Sequence, residues 1–170
     1  TFTFIMSCGQ GGGDNSQQTG KDLNGMHRFM VMDPGHFHAA LVFKRPGYES
    51  VLKDVDIYAP VGEDFQDHMA RVIPFNTRED DPASWQYHIY LAPDYKAKMF
   101  AEKPGDAVVL SGKNDAKMDR IMESVENGLN VLADKPWVIE PDKLPILEAA
   151  LNEAEEKGLV IYDIMTERYE

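Results

Sequence analysis

Across 170 residues the chain carries 17 basic and 29 acidic side chains, a formal net charge of −12, and 43% of its residues are apolar. That suffices for one domain with a core but not for two ordinary ones, and the acidic balance argues against nucleic acid and against attraction to an anionic membrane surface. No run approaches the roughly 18 apolar residues of a membrane-crossing helix, and the single cysteine, Cys8, excludes an internal disulfide framework or a cysteine-based zinc site.

Residues 1–7 are apolar or small and precede Cys8-Gly9. This is the pattern of the tail of a bacterial lipoprotein signal, with Ile5-Met6-Ser7-Cys8 as the lipobox and Cys8 as the lipidated residue. Residues 8–25 have no apolar period and fit a flexible tether, leaving 26–165 for the folded domain. On this pattern the protein belongs in the bacterial cell envelope, held to a membrane only through a lipid at Cys8. A disordered N-terminus with an incidental cysteine, in a cytoplasmic protein, is the plainer alternative.

Arg28 to Met32 reads as a first strand, and Asp33-Pro34-Gly35-His36-Phe37-His38 as a turn into a helix containing Ala39 to Phe43. Val55 to Ala59 is the second strand. Glu63 to Ile73 is a helix with Phe65, Met69 and Val72 on its packing face; Glu63 and Asp64 suit its dipole, and His68 is expected at the surface or rim. Phe75 to Pro82 reads as a long polar loop near the site. Trp85 to Leu91 is the third strand, toward a sheet edge, followed by a short helix, Asp94 to Glu102, bracketed by Pro93 and Lys103-Pro104-Gly105.

Val108 to Leu110 is the next strand, and Ser111-Gly112-Lys113-Asn114 is turn chemistry with Asn114 as an N-cap. Met118, Ile121, Met122 and Val125 then recur at helical spacing, Gly128 stops that helix, and Asn130 to Ala133 is a strand. Such a unit is right-handed with parallel strands, so Asn114 and Lys135 share one sheet edge, where ligands bind in open α/β sheets. Asp142 to Lys157 is a helix packing through Leu144, Leu147, Ala150, Leu151 and Ala154, and Leu159 to Ile164 is the sixth strand. The fold class is α/β: a doubly wound, mostly parallel, Rossmann-like sheet in three layers, α/β/α.

Val131-Leu132-Ala133-Asp134-Lys135-Pro136, preceded by Gly128, resembles the Gly-Lys-His-Val-Leu-x-Glu-Lys-Pro signature of the Gfo/Idh/MocA family of nicotinamide-dependent sugar and polyol oxidoreductases, with Asp134 replacing the Glu. Ser111-Gly112-Lys113-Asn114 falls where that family has a Thr-Pro-Asn segment against the cofactor, only Asn114 being identical. The resemblance runs from Phe29 to Tyr169. It implies NAD or NADP as cofactor and hydride transfer to or from a small carbohydrate-like substrate. It also implies a role for Lys135 at the nicotinamide and substrate, polarising or deprotonating the reacting hydroxyl. Cofactor contacts would come from Pro34, Gly35, His36, Phe37, Ser111, Gly112, Asn114, Asp134 and Pro136. Residues 166–170 would begin the passage to a second, substrate-covering domain, with Arg168 near the junction. The full-length protein is expected to be a homo-oligomer.

A dinucleotide-binding turn carries Gly-x-Gly-x-x-Gly, but here only Gly35 remains, with Asp33 in the first position and His38 in the third. A carboxylate at Asp33 would face a bound pyrophosphate unless turned away or paired, and the second strand ends in Ala59-Pro60, without the acid that holds the adenosine ribose. The start of the following helix still offers amides to an anion. A second reading is therefore a non-catalytic, tethered carbohydrate-binding or scaffold protein on a degenerate Rossmann fold. A third takes His36 and His38 as ligands in a metal-dependent hydrolase. Against it, the two side chains are expected to diverge on the turn and no further ligand cluster follows, so no metal set is assigned.

Overall fold

The computed structural model describes residues 23–164; the expectations for residues 1–7, for the lipobox and Cys8, and for Arg168 and the junction at 166–170 lie outside the described residues. Six parallel strands form one sheet in the order β3-β2-β1-β4-β5-β6, the doubly wound arrangement in which strand order reverses beside β1. The strands are β1 (His27–Met32), β2 (Val51–Ala59), β3 (Gln86–Leu91), β4 (Ala107–Leu110), β5 (Asn130–Ala133) and β6 (Ile161–Asp163). The helices are α1 (His38–Val42), α2 (Glu63–Thr77), α3 (Tyr95–Glu102), α4 (Lys117–Glu126) and α5 (Leu144–Lys157). No helix among the described residues is long and apolar enough to cross a membrane.

The central strands are apolar along their length because both faces are covered. Phe29 and Val31 of β1 pack with Val55, Ile57 and Val109 against α1 and α2. Met30 and Met32 face the other way, joining Val108, Leu110 and Val131 under α3, α4 and α5. Met118, Ile121 and Val125 are buried as their spacing predicts. Gly128 follows α4 with φ +76°, a left-handed conformation that a Cβ disfavours.

Several local expectations are corrected. α2 runs through Pro74 to Thr77 rather than ending at Ile73. Its last turn is held from outside: the Ala83 amide donates to the Phe75 carbonyl at 2.8 Å, and the Asn76 amide group donates to the Trp85 carbonyl at 2.7 Å. The loop after α2 leads into the N-terminal end of β3, so it lies at the edge opposite the candidate site. His68 is buried, at 3% exposure, with its ring 6.2 Å from that of Phe43, because α1 packs across the same face of α2 that carries Phe65 and Val72. Asn114 is no N-cap; it opens a 3-10 turn, Asn114–Ala116, and α4 starts at Lys117. In α5 the small residues Ala150 and Ala154 approach the core, whereas Leu144 and Leu151 lie on the flank, about half exposed.

Candidate functional site

Register builds the site. Met32 pairs with Leu110, and Leu110 with Ala133, so Asp33, Ser111 and Asp134 follow side by side, one residue beyond the ladder. The ends are tied together: the Gly35 amide donates to the Ser111 carbonyl at 3.2 Å, the Ser111 hydroxyl to the His36 carbonyl at 2.9 Å, and the Asp134 amide to the Leu110 carbonyl at 3.0 Å.

Above this row opens a crevice of about 320 Å³ lined by Gly35, His36, Asp64, Ser111, Gly112, Lys113, Asn114, Asp134, Lys135 and Pro136. The turn after β1 and the lysine after β5 thus face one space. Of the expected site residues, Pro34 and Phe37 are the two outside it. With Gly35 and His36 they line a neighbouring cavity of about 110 Å³ together with Asp64, Asp67, His68 and Arg71. The Arg71 guanidinium lies 5.9 Å from the Phe37 ring centre. α1 has only five residues, so the anion-holding dipole expected there is small.

Asp33 occupies the first glycine position with φ +45°, and its carboxylate is paired: Arg120 Nη2 lies 2.7 Å from Asp33 Oδ2, both side chains being largely buried. The ion pair removes the charge that would have opposed a phosphate. Gly112 is required where these groups meet, since a Cβ there would lie 2.5 Å from Arg120 Nη1 and 2.8 Å from the Asp33 carbonyl oxygen.

The His36 and His38 side chains converge, contrary to the divergence expected on a turn. Their ring centres are 4.4 Å apart, and their Nδ1 atoms lie 3.2 Å and 3.3 Å from one oxygen, Asp134 Oδ2. Chain direction at Phe37 sets this, because the backbone there is already helical and turns both rings toward the end of β5. His38 and Asp134 are fully buried; His36 is 43% exposed at the crevice. Burial, reinforced by the neighbouring His38, holds the His36 imidazolium below its ordinary pKa against the opposing pull of Asp134.

Sequence reasoning missed Lys117 and Arg120. The Lys117 ammonium, 2% exposed, donates to Asp134 Oδ1 and, at 2.8 Å, to Asn114 Oδ1. One signal was present: Lys117 stands four residues before Ile121, on the apolar face of α4, where an unpaired charge is excluded.

No family model matches the chain, and no curated protein does. Among solved structures, a protein of Parabacteroides merdae provisionally assigned as an oxidoreductase is similar at 44% identity and TM-score 0.81, over 86% of this chain and 33% of that one. The shared part is a Rossmann-like domain. A 3-ketoreductase from Actinomadura kijaniata, solved with NADP and TDP-benzene, shares the fold at 14% identity and TM-score 0.55, over 81% of this chain and 37% of that one. A UDP-N-acetylglucosamine 3-dehydrogenase from Acidithiobacillus ferrooxidans shares it at 18% identity and TM-score 0.51, over 85% of this chain and 40% of that one. The chain therefore spans about a third of the length of the structures it matches.

Proposed function

We propose that this chain is the dinucleotide-binding part of an NAD(P)-dependent oxidoreductase that transfers hydride to or from a carbohydrate or polyol. The observation that carries this reading is the common crevice: the loop after β1, the Ser111–Asn114 turn and Lys135 all open onto it, at the C-terminal edge where doubly wound sheets bind nucleotides. The residues present fit such a group in two respects. Asp33 is neutralised by Arg120, and Gly35 adds no side chain to the crevice wall, where a Cβ would sit beside the Gly112 Cα, Asp64 Oδ2 and the Ser111 carbonyl oxygen. The similar solved structures are of oxidoreductases, some of them NADP complexes, which supports the same assignment.

The bound nicotinamide would supply the hydride chemistry. Gly35, His36, Ser111, Gly112 and Asn114 would hold the dinucleotide, and Asp134, fixed by Lys117, would shape the wall beneath it together with Pro136. Lys135, exposed at the crevice, would orient the reacting hydroxyl and favour its deprotonation through its charge. Pro34 and Phe37 would act from behind the loop. A second domain would cover the substrate in the full-length protein, and lipidation of Cys8 would tether it to the cell envelope.

A second reading, a tethered carbohydrate-binding protein without turnover, is favoured by the loss of two loop glycines and by the shortness of α1. Denaturing purified full-length protein and separating the released small molecules by chromatography distinguishes the two. Released NAD or NADP supports the enzyme, whereas an empty site that retains sugar binding supports the module.

A further inference from the structure

We propose that His36, His38 and Asp134 form a binding site for one divalent transition-metal ion, with zinc the ion that this donor set suits best. One ligand atom from each of the three residues lies within 4.8 Å of the other two. The site needs no nucleotide to form, although His36 and Asp134 also line the crevice assigned to the dinucleotide above.

The spacing is the first argument. A charge-assisted N–H to carboxylate hydrogen bond closes to about 2.7–2.9 Å, yet both imidazoles stop short of that, at 3.2 Å and 3.3 Å from Asp134 Oδ2. Ligands placed about 2.0–2.1 Å from a tetrahedral zinc ion are separated from one another by roughly 3.3–3.4 Å. Both nitrogen-to-oxygen separations are therefore those of neighbouring ligands around an ion, and all three atoms lie within 4.8 Å of one another. Two imidazoles and one carboxylate are also a borderline-soft set that selects transition ions over magnesium or calcium.

Rigidity is the second argument. His38 is in the first turn of α1, Asp134 follows β5 directly, and the His36 carbonyl is held by the Ser111 hydroxyl at 2.9 Å. The carboxylate is oriented by Lys117, which donates to Oδ1 and leaves Oδ2 to face the two rings. A hydrogen-bonded group behind a ligating carboxylate is the usual support of a metal site. Because His36 and Asp134 also line the crevice beside Lys135, three protein ligands leave a fourth position open there. A hydroxyl or carbonyl oxygen of a substrate would complete the coordination and be polarised by it.

Lys117 also sets the sign of a test. Its ammonium fixes the ligating carboxylate from behind, so Lys117→Met should weaken binding. Purified protein, stripped with chelator and dialysed, is titrated with zinc chloride by calorimetry, with magnesium chloride as the hard-ion control. One zinc per chain at micromolar affinity or tighter is expected, with no magnesium binding. His36→Ala, whose exposed side chain can be lost without opening the core, should weaken zinc at least tenfold, and Asp134→Asn likewise. Lys117→Met should bind it about tenfold more weakly. Zinc binding that is absent, or unchanged in His36→Ala, overturns the site. The latter result would place the ion on exposed pairs such as His27 with Asp106 or His88 with Asp54. Failure here leaves the dinucleotide reading standing, and an empty nucleotide site leaves this one standing.

Discussion

Asp33 and Arg120 form the pair on which the unusual loop depends. The Asp33 carboxylate, at 12% side-chain exposure, meets a guanidinium that is almost equally enclosed. Arg120→Met should cost about 3 kcal/mol of unfolding free energy, since it leaves a largely buried carboxylate without its ionic partner and with only the Tyr95 hydroxyl, 3.5 Å from Oδ2. The double variant with Asp33→Asn should recover most of that loss. Urea unfolding of the four proteins of the cycle measures both, and simple additivity would refute the pairing. Lys135 makes the contrasting case. Its side chain is exposed, so Lys135→Ala should leave the urea midpoint unchanged while lowering kcat by a factor on the order of 10² to 10⁴. A variant that loses stability in step with activity would make Lys135 a structural residue.

At the scale of elements, α2 holds a polar group with no apparent return. Neither ring nitrogen of His68 has a hydrogen-bond partner, and the side chain lies between α1 and the body of α2. Replacing it by an apolar residue of similar volume removes an unsatisfied donor, so His68→Leu should stabilise the fold by about 1–2 kcal/mol at pH 7. A lower urea midpoint for this variant would mean that the ring nitrogens are satisfied after all. The end of α4 offers a second check. Gly128→Ala meets no atom within 4 Å, yet should cost about 1 kcal/mol because φ +76° is left-handed.

For the whole molecule these local features add up to a pH dependence. Burial lowers the His68 pKa from 6.5 to about 4, with Arg71 pushing the same way, and His36 is depressed as well. The unfolded chain therefore takes up protons before the folded one does. The stability that depends on these rings being neutral is present above pH 6.5 and is lost as pH falls toward 4, with His68 accounting for roughly 3 kcal/mol of the loss. Urea midpoints at pH 7.5, 6 and 4.5 should decline in the wild type and decline less steeply in His68→Leu. Parallel curves for the two proteins would remove His68 as the cause.

The sequence by itself determined the alternation of strands and helices, the three-layer α/β class, the helical face of α4 and the shared edge of Asn114 and Lys135. These follow from short-range periodicity, turn residues and the fixed hand of a βαβ unit, all of which act within a few dozen residues. Only the tertiary structure decided the partner of Asp33, the burial of His68, the extension of α2 past Pro74 and the meeting of His36, His38 and Lys117 at Asp134. Each depends on groups far apart in the chain, His38 and Asp134 being 96 residues apart. A side chain's charge state and direction are set by what packs against it, and that is known only when the sheet register has placed the strand ends side by side.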